Sequence, residues 1–172
     1  VKCWGANDDG QLGQGDGASR GSSAAHMGDS LPAVDLGAYA GYPPETPPVG
    51  ALLVAAGAKH ACAFTVYGET KCWGSNDSGQ LGHPRHELPS AGKLASTMGD
   101  HLAPVDGLYV TPGETIRLLT GGDKHTCVAS ADGRLRCWGE SLLGQTGDSS
   151  GSAPHYEVGW HATHCSLSTR GS

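Results

Sequence analysis

Six cysteines are the residues of this chain best placed to do chemistry, and that chemistry is either disulfide formation or metal binding. Cys62 and Cys72 stand ten residues apart, as do Cys127 and Cys137. No Cys-x-x-Cys occurs, and the Cys-Trp-Gly context suits a strand end better than a ligand loop, so disulfides are expected and no zinc site is. His60, His125 and His164 recur beside the cysteines, which points to structural hydrogen bonding rather than catalysis. Asp8, Asp9, Asp16 and Asp29 lack the spacing and terminal Glu of a calcium loop. No Gly-rich run precedes a helix signal to cradle a phosphate, and no Ser, His and Asp arrangement stands above the high Ser background. The sequence therefore offers no catalytic, cofactor-binding or metal residue, and no cofactor is expected.

The elements that must position the cysteines are hairpins. If Cys62 lies opposite Cys72, Thr65 faces Glu69, and Val66-Tyr67-Gly68 is a three-residue loop ending in a left-handed Gly. The second pair gives the same result with Ala131-Asp132-Gly133. Directly opposed residues in a non-hydrogen-bonded pair have Cα atoms about 4.5 Å apart, within disulfide reach. Pairing is thus expected for Cys62–Cys72 and Cys127–Cys137.

Cys3 and Cys165 remain. When Ser172 is joined to Val1 of a following copy, Cys165 falls ten residues before that copy's Cys3, with Thr169-Arg170-Gly171 at the loop position. Three readings follow: closure within one chain, completion by the next molecule or tandem copy, or a fragment boundary. Val1, which is not an initiating Met, fits a processed chain or a fragment.

These hairpins belong to a longer repeat. Lys2-Cys3-Trp4-Gly5-Ala6-Asn7-Asp8-Asp9-Gly10-Gln11-Leu12-Gly13 returns as Lys71 to Gly82, and in weaker form as Arg136 to Gly147. Ala56 to Cys62 and Gly121 to Cys127 carry a preceding Gly-x-x-His motif, with a shorter version at Gly159 to Cys165. Trp4, Trp73, Trp138, Asn7 and the repeated histidines are accordingly packing and turn residues. The approximate units are 1–56, 57–121 and 122–158, with 159–172 as the first half of a hairpin completed by residues 1–5 of the next copy or of the same chain.

Composition sets the physical problem this repeat must solve. The 172 residues hold 28 Gly and 10 Pro but one Phe, and only 16% are charged. Leu, Ile, Val and Phe fall below the roughly 20% typical of chains with ample cores. Three such disulfides would add on the order of 8 kcal/mol in the chain-entropy account, which offsets the deficit and implies an oxidising, extracellular or cell-surface compartment. A net charge of -6 without clustered Lys and Arg argues against a nucleic-acid surface. No apolar run is long enough to span a membrane. Asn76-Asp77-Ser78 is a glycosylation sequon, and Tyr42 to Pro48 should be extended.

The residues Trp4 to Gly13 and Trp73 to Gly82 resemble the regulator of chromosome condensation repeat family, in its cysteine-containing secreted or surface variety. The resemblance implies an all-β fold of small antiparallel, turn-rich units of propeller-blade type. The Cys-Trp-Gly spacings of 69 and 65 residues, with 38 across joined ends, imply an open or incomplete array rather than a closed seven-bladed propeller. Two functions fit. One is an extracellular structural protein that assembles head to tail, partnered with itself through a Cys165–Cys3 junction. The other is a fragment of a propeller-type module that binds another protein. Neither is an enzyme.

Overall fold

The structure, a computed structural model, describes residues 1–38, 49–105, 108 and 115–147, together with the strand backbone of residues 161–163. His164, Cys165 and the Pro-rich Tyr42 to Pro48 stretch lie outside the described residues. The described fold is all-β, in two four-stranded antiparallel sheets. The first contains β1 (Ala51–Ala56), β2 (His60–Thr65), β3 (Thr70–Ser75) and β4 (Ser90–Ala91) in that order; the second contains β5 (Ile116–Gly121), β6 (His125–Ser130), β7 (Leu135–Gly139) and β8 (His161–Thr163). Four single-turn 3-10 helices occupy the connections after the Gly-Gln turns. Among the described residues, no helix is long and apolar enough to cross a membrane.

The central hairpins have the register that the cysteine spacing demands. Cys62 faces Cys72 and Cys127 faces Cys137. Both pairs form disulfides, with Cα atoms 4.1 Å apart in each. Each loop closes with a backbone hydrogen bond from Thr65 to Glu69 or from Ser130 to Arg134. Gly68 and Gly133 adopt φ of +82° and +87°, where a Cβ would be strained.

β2 and β3 are buried along their whole length because material covers both faces. Residues 1–38 supply Leu36 and the Gln11-Leu12 turn on one side, and the second sheet packs through β5 on the other. Trp73, Phe64, Leu81, Leu102 and Trp138 fill the resulting core.

The sheets differ from the sequence units by one strand. β1 pairs with β2 and β5 with β6, so unit boundaries at 56/57 and 121/122 separate each sheet from its own first strand. Ala51–Ala56 carries no turn or cysteine signal that would have attached it. The segment expected to begin a hairpin with Cys3 also has another neighbour: the backbone of His161–Thr163 pairs with β7, covering what would otherwise be the sheet's open edge.

Candidate protein-docking face

Each Gly-Gln turn is built to hold its backbone carbonyl still. The Gln11 side chain accepts the Asp9 N–H, Gln80 accepts that of Ser78 and Gln145 that of Leu143. The carbonyl then receives the tryptophan of the next unit. Trp73 Nε1 donates to the Gln11 oxygen at 3.0 Å, and Trp138 Nε1 to that of Gln80 at 2.9 Å. Gly13 lets the indole approach: a Cβ there would lie 2.8 Å from Trp73 Nε1, and its φ is +65°.

At the second junction the Gln80 carbonyl also accepts the Thr126 hydroxyl at 2.9 Å. That hydroxyl has one proton, so it accepts from His60 Nε2 at 2.8 Å, which places a proton on Nε2. Burial, with a smaller contribution from His125, holds the imidazole pKa down to about 4. The insertions after the turns are joined as well. Gly99 N–H donates to the Asp35 carbonyl, and Asp100 accepts the Ala38 N–H at 2.6 Å.

At the N-terminal face the same parts are open among the described residues. Trp4 is 61% exposed, whereas Trp73 is 0% and Trp138 is 4% exposed. Val54 on β1 is 59% exposed, while Leu119, which holds the same position on β5, is 6% exposed. Asp29, the counterpart of Asp100 in the repeated Met-Gly-Asp sequence, is exposed. The Lys2–Gly5 segment makes its described bridge on one side only, between Gly5 and Arg20. Its other side opens into a groove of about 370 Å³, walled by Val1–Trp4 and by Val54–Ala58. Cys3 lines this groove with no disulfide partner among the described residues, and burial pushes its thiol pKa up.

The remaining sequence-selected residues have structural positions. Asn7 and Asn76 are fully buried turn residues: Asn76 accepts the Leu81 N–H and donates to the carbonyls of His83 and Leu88. Asn7 does the same with Leu12, Asp16 and Ala18. The sequon reading of Asn76 is therefore corrected, because its amide nitrogen is enclosed and committed to two acceptors, leaving no room for a glycan. Asp16 pairs with Arg20, whose hydrogen bond holds the carboxyl down to about 2, and Asp9 pairs with Lys59. Among the described residues no three His, Cys, Asp or Glu side chains converge as a metal site. His125 is half-buried at the start of β6. Gln11, Gln80 and Thr126 were not selected from the sequence, although the repetition of Gly-Gln marked the first two.

Residues 53–80 and 116–145 match the Regulator of chromosome condensation (RCC1) repeat. The chain is 31% identical over 147 residues to the Ultraviolet-B receptor UVR8 of Arabidopsis thaliana, covering 86% of this chain and 27% of that protein. It is 32% identical over 90 residues to the Protein RCC2 homolog of Danio rerio, covering 52% and 16% of the two chains. The chain thus spans about a quarter or less of the length of these relatives. The fold resembles the crystal structure of Kap60 bound to yeast RCC1 (Prp20), with a TM-score of 0.57, 20% identity, and coverage of 92% of this chain and 30% of that one. It likewise resembles human WBSCR16, with a TM-score of 0.56, 21% identity, and coverage of 94% and 34%. With the repeated motifs and blade-like sheets beside these matches, the chain carries RCC1 repeats at residues 53–80 and 116–145, in a form with hairpin disulfides.

Proposed function

We propose that this chain is a non-enzymatic segment of a propeller-type array that works by binding another protein. The carrying observation is the repeat architecture itself: blade-like antiparallel sheets with RCC1 repeats at residues 53–80 and 116–145. The similar structure of Kap60 bound to yeast RCC1 supports protein binding as the kind of task this fold performs. An extracellular or cell-surface setting is part of the proposal, supported by the two disulfides.

Head-to-tail self-assembly is the second reading, favoured by the unit-to-unit junctions in which each buried tryptophan docks on the turn before it. Sedimentation velocity from micromolar to 100-micromolar chain separates the two. A binding module stays monomeric, and its Trp4 remains open to a collisional quencher. Growth in mass with concentration, accompanied by protection of Trp4, would replace the binding reading with the assembly reading.

A further inference from the structure

We propose that the seam between the two sheets is an acid-sensitive switch: it opens when His60 takes up a proton, while both disulfide-closed hairpins stay folded. The device lies inside the chain and does not rest on the protein-binding reading.

Backbone contact draws the seam tight. Gly121 lies against the end of β1, where a Cβ would come within 2.8 Å of the Ala56 carbonyl carbon and the Gly57 nitrogen. The Ala58 N–H donates to the Asp123 carbonyl across the same line. A Cβ on Gly57 would collide with the His60 ring and with the Gly122 oxygen, so the ring is enclosed at this edge. Side chains carry the rest of the seam through one relay. His60 on β2 donates to Thr126 on β6, Thr126 donates to the Gln80 carbonyl beyond β3, and that carbonyl also holds the indole of Trp138 on β7.

A second proton on His60 would sit on Nδ1, which is buried and has no hydrogen-bond partner among the described residues. A buried charge without a partner is costly. The groups around the ring do not relieve it. His125, at the start of β6, opposes the added charge, and Asp123, in the β5–β6 loop, is the smaller and opposite influence. Gly74, across from His60 on β3, brings no charge. Lys59 is paired with Asp9 at 3.1 Å and Lys124 with Glu140 at 3.6 Å. Val1, Lys2 and Cys3 wall the groove that His60 also lines, where Lys2 Nζ bonds to the Gly28 carbonyl. Parting Gly57–His60 from Gly121–Thr126 is therefore what brings water to the imidazolium. Each hairpin can survive that step, because its disulfide lies within one sheet and, among the described residues, none crosses the seam.

Hydrogen exchange of the isotope-labelled full chain at pH 7.5 and 5 tests this, read as protection relative to the free group at the same pH. An imidazole that titrates near 4 when enclosed and near 6.5 in water raises the open-to-closed ratio about thirtyfold over this interval. Protection of the Trp138 indole N–H should fall by about that factor. At pH 5 it should stand at least tenfold below the protection of the β2 and β6 ladder amides. Thr126→Ser keeps the hydroxyl and should keep the fall, whereas His60→Gln should abolish it. One shared protection for Trp138 and the ladder amides at both pH values would mean unfolding of the whole, and would overturn the proposal even from the parent chain alone. So would a Trp138 protection that is unchanged by pH, or a fall of equal size in His60→Gln.

Discussion

Acidification should weaken this fold through His60, and the size of the effect follows from its site. The imidazole is buried, donates from Nε2 to Thr126, and has its pKa held down to about 4 by burial and by His125, against a small opposing pull from Asp123. An unfolded His titrates near 6.5. Between those values the unfolded chain binds the extra proton and the native chain does not, so stability falls as pH falls. The contribution is fully present above about pH 6.5 and is lost as pH falls through about 4. A gap of about 2.5 between the two pKa values corresponds to about 3 kcal/mol in total, of which about 2 kcal/mol is lost between pH 7.5 and 5. Urea unfolding at pH 7.5, 6 and 5, followed by tryptophan fluorescence, measures it. His60→Gln keeps a side-chain donor for Thr126 and removes the titration, so its stability should fall about 2 kcal/mol less over this interval than that of the parent chain. The difference between the two proteins cancels the titrating groups that do not interact with His60. Asp16, held at about 2 by Arg20, loses its contribution only at lower pH. Equal pH slopes for parent and variant would refute the linkage and the neutral state of the imidazole with it.

Thr126→Val removes the hydroxyl between His60 and the Gln80 carbonyl, leaving a buried donor unpaired, and should cost about 1–3 kcal/mol in urea unfolding. Trp73→Phe should cost a similar amount, about 1–3 kcal/mol, by withdrawing the indole N–H from Gln11. The matching Trp4→Phe should stay within about 0.5 kcal/mol, because Trp4 is mostly exposed; equal losses from the two would contradict the assigned junction. Gly68→Ala meets no atom within 4 Å but keeps φ near +82°, so it should cost about 1–2 kcal/mol of backbone strain, read as a lower melting temperature with the disulfide intact. Replacing both Cys62 and Cys72 by Ala should cost about 2.7 kcal/mol from loop entropy, measured against the parent under non-reducing conditions.

Local chemistry was legible in the sequence, and relations between units were not. A ten-residue cysteine spacing with Gly at the loop position determines a hairpin register because all of its parts lie within one turn of chain. β1 escaped attachment to its sheet because Ala51–Ala56 has neither a turn nor a repeated motif, and its partner is identified only by pairing with β2. The sequon at Asn76 reads as a modification site to anyone who sees three residues. Its burial comes from Leu81, His83 and Leu88, which close around the amide only after the turn has formed. The His60–Thr126–Gln80 relay joins residues 46 and 66 positions apart, and Thr126 has Ala61 at its equivalent position, so no repetition announced it.

The tryptophans carry that point furthest. Trp4, Trp73 and Trp138 occupy the same place in the same motif, and the first is open to solvent while the other two are enclosed. Each enclosed ring is held by the Gly-Gln turn of the unit before it, whose carbonyl takes the indole N–H and whose glycine makes space for the ring. In an array of this kind each unit finishes the burial of its neighbour, so stability is shared between adjacent units rather than contained within one. A chain poor in large aliphatic residues can therefore hold an ordered interior by supplying each buried polar group with a partner from the next unit.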